Sequence, residues 1–116
     1  MSINSKDKGA RFERELAGIL REKYGYHNCR RTAQYCGNTG DAADIVGLPG
    51  IHIEAKHQET MRLYDWVEQA VRDAKNCLPA VFHRKNYAEI LVTMRLDDFM
   101  ILYSEYAAGF DLDKGE

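Results

Sequence analysis

Asp44, Glu54 and Lys56 are the residues whose types and spacing best suit chemistry in this chain. They lie in the stretch "DAADIVGLPGIHIEAKH", residues 41–57, where two short apolar runs flank Pro49-Gly50. Side chains alternate along a strand, so His52, Glu54 and Lys56 share one face while Ile51, Ile53 and Ala55 share the other. A carboxylate and an ammonium side by side on a strand mark either a solvated edge or a site for a hard cation and a phosphate. Register decides whether Asp44 joins them. A two-residue Pro49-Gly50 loop sets Asp44 opposite Ala55, whereas a three-residue loop, Leu48 to Gly50, sets it opposite Glu54. Proline-glycine favours a type II turn, which matches two-residue hairpins poorly. The longer loop, or a bulge at Gly47, is therefore expected, with one face of the hairpin in the core and the other a working surface.

Converging oxygens of Asp44 and Glu54 suit Mg2+, with Mn2+ as a substitute, because such ions take a few carboxylates and complete their shell with water and phosphate oxygens. Lys56 beside them is placed to orient a metal-bound water and to stabilise charge building on a phosphate. A third carboxylate comes from the helix-patterned segment "KGARFERELAGILREK", residues 8–23. Its apolar arc runs through Phe12, Leu16, Ile19, Leu20 and Tyr24, and Glu13 is the only acidic side chain inside it. A buried carboxylate is costly without a cation, so Glu13 needs a partner or a wetter setting. Three carboxylates and one ammonium would leave a charge that a divalent ion neutralises. The Glu-x-Lys triplet alone is weak: a second acidic-x-Lys triplet, Asp73-Ala74-Lys75, falls in a predicted helix, where its charges diverge.

The elements that must position these groups follow from periodicity and punctuation. The helix over 8–23 stops at Gly25. Residues 27–33 read as a first strand, followed by a polar loop, "QYCGNTGDA", in which Tyr35 is a weak candidate for substrate contact. After the hairpin at 43–57, residues 62–76 form a second amphipathic helix, with Leu63, Trp66, Val67, Ala70, Val71 and Ala74 on one arc and Pro79 as terminator. "AVFHR" and "EILVTM" are further strands. Asp97 or Asp98 caps a short helix, "DFMILYSEY", and residues 109–116 form an acidic tail. The order α, β, β, β, α, β, β, α describes an α/β fold, a mixed sheet flanked by helices, in one domain over 1–116.

At 116 residues, 45% hydrophobic and 29% charged, the composition is that of an ordinary globular domain. No run is long enough for a membrane span or a secretory leader. Cys29, Cys36 and Cys77 are odd in number and lack a CxxC pair, which fits free thiols in a reducing, cytoplasmic setting better than a disulfide frame. The net charge is −2, unevenly spread: residues 1–31 hold eight basic against four acidic residues, and residues 97–116 hold one against six. A basic end is compatible with phosphate binding, and equally with solvated helix faces. His52 reads better as a structural histidine than as part of the site.

With these residues in place, the chain resembles the PD-(D/E)xK nuclease superfamily, whose restriction-endonuclease-like αβββαβ core carries Asp and Glu-x-Lys on a central hairpin. "KGARFERELAGIL" is similar to the opening of archaeal Holliday-junction resolvases and related phage endonucleases, a lysine-glycine pair before a helix of the form K-G-x-x-x-E-R-E-L. The resemblance implies Glu13, Asp44, Glu54 and Lys56 as catalytic residues, with Asp44, Glu54 and Glu13 serving the metal. Arg31-Thr32-Ala33 matches the basic residue that precedes the aspartate, and Gln69 a glutamine found near the site. Lys8, Arg11, Arg14, Arg30, Arg31, Gln69, Arg84 and Lys85 are the expected DNA contacts. The implied activity is a Mg2+-dependent DNA endonuclease acting on branched DNA as a homodimer. A phage-type endonuclease on duplex or single strands, and a non-cleaving DNA-binding module, are the alternatives. Ala43 replaces the signature proline, the loop between Arg31 and Asp44 is long, and the C-terminal end is acidic; these departures bear on substrate more than on reaction.

Overall fold

The computed structural model describes residues 5–32 and 43–111. The loop with Tyr35 and most of the acidic tail lie outside the described residues. The elements are α1 (Ser5–Glu22), β1 (Arg30–Arg31), β2 (Ile45–Val46), β3 (Ile51–His57), α2 (Leu63–Asp73), β4 (Leu78–Arg84), β5 (Leu91–Thr93) and α3 (Leu96–Gly109), in the expected order. They build a mixed α/β sheet with strand order β1-β2-β3-β4-β5. β3 pairs antiparallel with β2 and parallel with β4, from Ile51↔Leu78 to His57↔Arg84, and β5 returns antiparallel along β4. The parallel pair needs a crossover, which α2 supplies. Among the described residues no helix is long and apolar enough to cross a membrane.

The two helices cover opposite faces of the sheet. Phe12, Leu16, Ala17 and Leu20 of α1 pack on Cys29, Ile45, Ile53 and Ala55. Trp66 and Ala70 of α2 pack on Val81, on the face that also carries Glu54, the partner of Val81 in the register. Burial of β3 on both sides corrects the expectation of an open working surface: His52 and Glu54 are as buried as Ile53 and Ala55. A central strand between two helical layers has no solvated face.

The hairpin owes its shape to two glycines. Gly50 has φ +80°, the left-handed position a type II turn needs, and Gly47 has φ +101°. A Cβ at Gly47 would run into the Asn28 backbone, so the close approach of β2 to the segment before β1 also requires glycine there.

Other boundaries moved. α2 ends at Asp73, where Lys75 with φ 53° turns the chain, so Pro79 is not the terminator but the second residue of β4. Asp97 and Asp98 do not cap α3. Arg95 occupies that position, and the buried Asp98 accepts a 2.8 Å hydrogen bond from the Arg95 Nε–H. Tyr24, placed by periodicity on the buried arc of α1, is 57% exposed because α1 ends two residues earlier.

Candidate active site

Ile45 pairs with Ile53, the register of the three-residue loop, and this sets Asp44 opposite Glu54. The backbone holds Asp44 from both sides. Its N–H donates to Ile53 O at 2.9 Å, and its own carbonyl accepts from Thr32 N–H at 3.0 Å. The Thr32 hydroxyl donates to Ala43 O at 2.6 Å and ties the same segment to β1. The Ala55 N–H donates to Asp44 Oδ2 at 2.8 Å, so a strand amide aims the carboxylate. A carboxylate accepting a backbone N–H keeps the second oxygen for another ligand.

Glu54 is 2% exposed, and its Oε1 lies 2.9 Å from His52 Nε2. With the proton on that nitrogen, His52 donates and fixes one carboxylate oxygen. Two residues on, Lys56 Nζ donates to Gln69 Oε1 of α2 at 3.4 Å, which brings Gln69 beside the lysine. Burial first, then the charges of Glu54 and Glu13, push the Asp44 carboxyl up to about 7, against the opposing Ala55 N–H and Lys56 ammonium. Four groups from two elements, β3 and α1, thus act on one carboxylate.

Glu13 has the partner its setting demanded. Arg31 Nε–H donates to Glu13 Oε1 at 2.6 Å, with the Glu13 side chain 13% exposed. Arg31, anticipated as a DNA contact, is therefore the counterion of Glu13 in the free protein. Among the described residues no three His, Cys, Asp or Glu side chains cluster closely enough to cage a metal alone. The donor set still fits a hard cation: the buried Glu54 and half-buried Asp44 carboxylates, each with one oxygen oriented by the protein, suit Mg2+, which keeps waters and substrate phosphate in its shell.

A second polar assembly lies beside the first. Lys8, Arg11, Phe12, Glu15, His57, Arg84, Asn86 and Tyr87 line a cavity of about 630 Å³. The Arg84 guanidinium lies 5.3 Å over the Phe12 ring and bonds Glu15 at 2.7 Å, while its buried Nε has no partner among the described residues. His57 is held below its ordinary pKa by burial and by the charges of Lys8 and Arg84, which keeps it neutral. Neither Asp44 nor Glu54 lines this cavity. Of the remaining anticipated DNA contacts, Arg14, Arg30 and Lys85 are exposed and outside both assemblies.

His52, expected to be structural, is buried and lies against the Glu54 carboxylate. The signal for that contact was the alternation that puts it on the Glu54 face. The pairing of Arg31 with Glu13, 18 positions apart, left no local trace.

A central antiparallel hairpin bearing an aspartate opposite a Glu-x-Lys strand, crossed by a helix to a parallel fourth strand, is consistent with the restriction-endonuclease-like core that the resemblance implied. The family model described as "phage putative PDDEXK endonuclease" matches residues 4–110, nearly the whole chain, and the chain belongs to that family. No curated protein and no solved structure matches the chain.

Proposed function

We propose that the chain is a divalent-metal-dependent DNA endonuclease, with Asp44 and Glu54 as metal ligands, Mg2+ as the physiological ion and Mn2+ as a substitute. The observation that carries this reading is the register that brings Asp44 onto the buried, histidine-anchored Glu54, with Lys56 two residues along. Buried carboxylates set together in a fold are costly unless a cation joins them. When bound there, the ion supplies positive charge to the scissile phosphate and acidifies a water.

The chain's own residues supply the rest. The Ala55 N–H and His52 hold one oxygen each of Asp44 and Glu54, which fixes how the two carboxylates face the ligand. Lys56, steadied by Gln69, places an ammonium where charge develops on the phosphate. Glu13 adds negative charge next to Asp44, and Arg31 keeps it in place. Lys8, Arg11 and Arg84 gather around the neighbouring cavity, where they can meet flanking phosphates, while Arg14, Arg30, Arg31, Gln69 and Lys85 complete the proposed DNA contacts.

The substrate is proposed to be branched DNA, on the likeness of the first helix to junction resolvases. Family membership supports a phage-type endonuclease on duplex or single strands equally well. Symmetric cutting of a junction requires two copies. End-labelled four-way junction, duplex and single strand, each incubated with Mg2+ and wild type or Lys56→Ala, separate these readings. Paired nicks confined to the junction and lost in the variant support a resolvase. Cutting of all three retains the nuclease and removes the junction, whereas DNA binding without cutting by the wild type overturns the nuclease reading.

A further inference from the structure

α3 carries an apolar seam that stands largely exposed among the described residues. Leu96, Phe99, Tyr103, Tyr106 and Phe110 recur at alternating intervals of three and four, the spacing that meets another helix knobs-into-holes. All five are between 42% and 72% exposed, and Asp98 is the only buried residue of the helix. Their rings form a continuous ladder: Phe99–Tyr103 at 6.2 Å, Tyr103–Tyr106 at 6.1 Å and Tyr106–Phe110 at 4.9 Å. Leu102, about a fifth of a turn from the centre of the seam, lines a shallow apolar cleft with Val92, Met94 and the seam's own Phe99, so the body of the protein meets the helix along one edge of the seam and leaves the rest open. No described element packs extensively on α3.

We infer that this seam is a self-association surface, on which α3 of one copy pairs antiparallel with α3 of a second copy about a two-fold axis at Tyr103. The spacing calls for a helix, and the other two described helices already spend their apolar stripes on the sheet. The remaining complementary surface is α3 itself, and a surface that meets its own copy closes as a two-fold dimer.

Charge fixes the direction. Asp97, Asp98 and Glu105 fall outside the seam, which Met100 and Ala107 flank instead, so no carboxylates face each other across it. Parallel pairing would bring the two exposed Asp97 carboxylates and the like ends of the helix dipoles together. Antiparallel pairing separates them by the helix length, about 20 Å, and opposes the helix dipoles. The area is sufficient: five side chains, each removing on the order of 100 Å² from water, give with the flanking residues roughly 1,200 Å² over two copies, the lower end of stable interfaces.

α3 follows β5, two strands from β3 in the sheet, so pairing leaves the Asp44–Glu54 site of each copy uncovered. The inference stands on α3 alone and does not depend on the chain cutting DNA.

The test is light scattering of the full chain from low to high micromolar concentration, for wild type and Tyr106→Glu. A second arm uses Tyr103→Cys and Glu105→Cys, each in a Cys36→Ser, Cys77→Ser background, under mild oxidation. A concentration-dependent wild-type dimer, weakened at least about tenfold by Tyr106→Glu with unchanged circular dichroism and melting temperature, is expected. Tyr103→Cys should cross-link through its own symmetry mate, and Glu105→Cys should not. A wild type that is monomeric throughout, a dimer indifferent to Tyr106→Glu, or equal cross-linking of the two cysteine variants overturns the inference. Cleavage assays are unaffected by any of these results, so failure here and failure of the nuclease reading are distinguishable.

Discussion

The hairpin and α3 break the rule of apolar inside and polar outside in opposite ways. At the hairpin, His52 and Glu54 lie buried, Asp44 lies against them, and a β-strand in the middle of the sheet carries charge where Val or Ile would normally sit. At α3, four aromatic rings and a leucine lie in solvent on a helix that packs on little. In the first region the polar groups are partnered, oxygen by oxygen, by Ala55, His52 and Gln69. In the second, among the described residues, the aromatic rings stack chiefly on one another. A buried polar cluster with an organised set of partners and excess negative charge suits the cation and anionic substrate of the proposed function. An exposed apolar seam of helical spacing suits the second surface inferred for it. The general lesson is that the informative deviations are buried polar groups and exposed apolar patches.

The largest expected effects lie at the hairpin. Asp44→Asn and Lys56→Ala should each reduce cleavage by about a thousandfold or more, since under the proposed function the first removes a metal ligand and the second the ammonium that faces the phosphate. Circular dichroism should show both folded. Retention of cleavage within tenfold in either variant would detach the chemistry from this hairpin and make the buried carboxylates a structural device.

The same region predicts an unusual dependence on pH and metal. The Asp44 carboxyl ionises at about 7 in the folded protein against 3.8 ordinarily, so the folded state holds this proton more tightly than the unfolded state does. Metal-free wild type should therefore lose stability relative to Asp44→Asn as pH rises from about 4 to about 7, with no further relative loss above that, a difference of at most a few kcal/mol. Urea unfolding of both proteins at pH 5 and pH 8 measures it. Mg2+ or Mn2+ at pH 8 should raise the wild-type melting temperature and leave that of Asp44→Asn unmoved. An equal shift in both proteins would place ion binding elsewhere.

His52→Leu removes the group that anchors Glu54 Oε1. A drop in cleavage of about ten- to a hundredfold is expected, as for other residues that orient a metal ligand, with partial rescue in His52→Gln, whose amide can still donate. Equal losses in both substitutions would show that the histidine matters for packing and not for holding the carboxylate.

The two regions also differ in how far the sequence discloses them. The αβββαββα order, the hairpin register and the anomaly of Glu13 were legible, because each rests on local information: periodicity, a Pro-Gly turn, one charge on an apolar arc. The answer to the anomaly was not, since Arg31 reaches Glu13 through the fold and not along the chain. Nor was the burial of the Glu54 face, which depends on where α2 lands after its crossover. Pro79 misled for a physical reason: proline punctuates helices strongly, but it also fits near the start of a strand, where β4 uses it. For α3 the failure was of another kind. Its seam can be counted off from Leu96 to Phe110, yet only the packed structure shows that the sheet leaves it bare.

The smallest expected effect is the one that best separates the two regions. Tyr106→Glu alters an exposed side chain with no described partner beyond its neighbouring rings, so the stability of a single copy should change by less than about 0.5 kcal/mol. A charge introduced at the hairpin floor, for instance Val81→Glu beneath Trp66, should instead cost several kcal/mol, because Val81 is fully buried and offers a carboxylate no cation. Urea unfolding at a concentration low enough to keep the wild type monomeric compares them directly. If Tyr106→Glu were as costly as Val81→Glu under those conditions, α3 would be packing against its own chain in solution. The exposed seam would then belong to the core, and the contrast between the two regions would collapse.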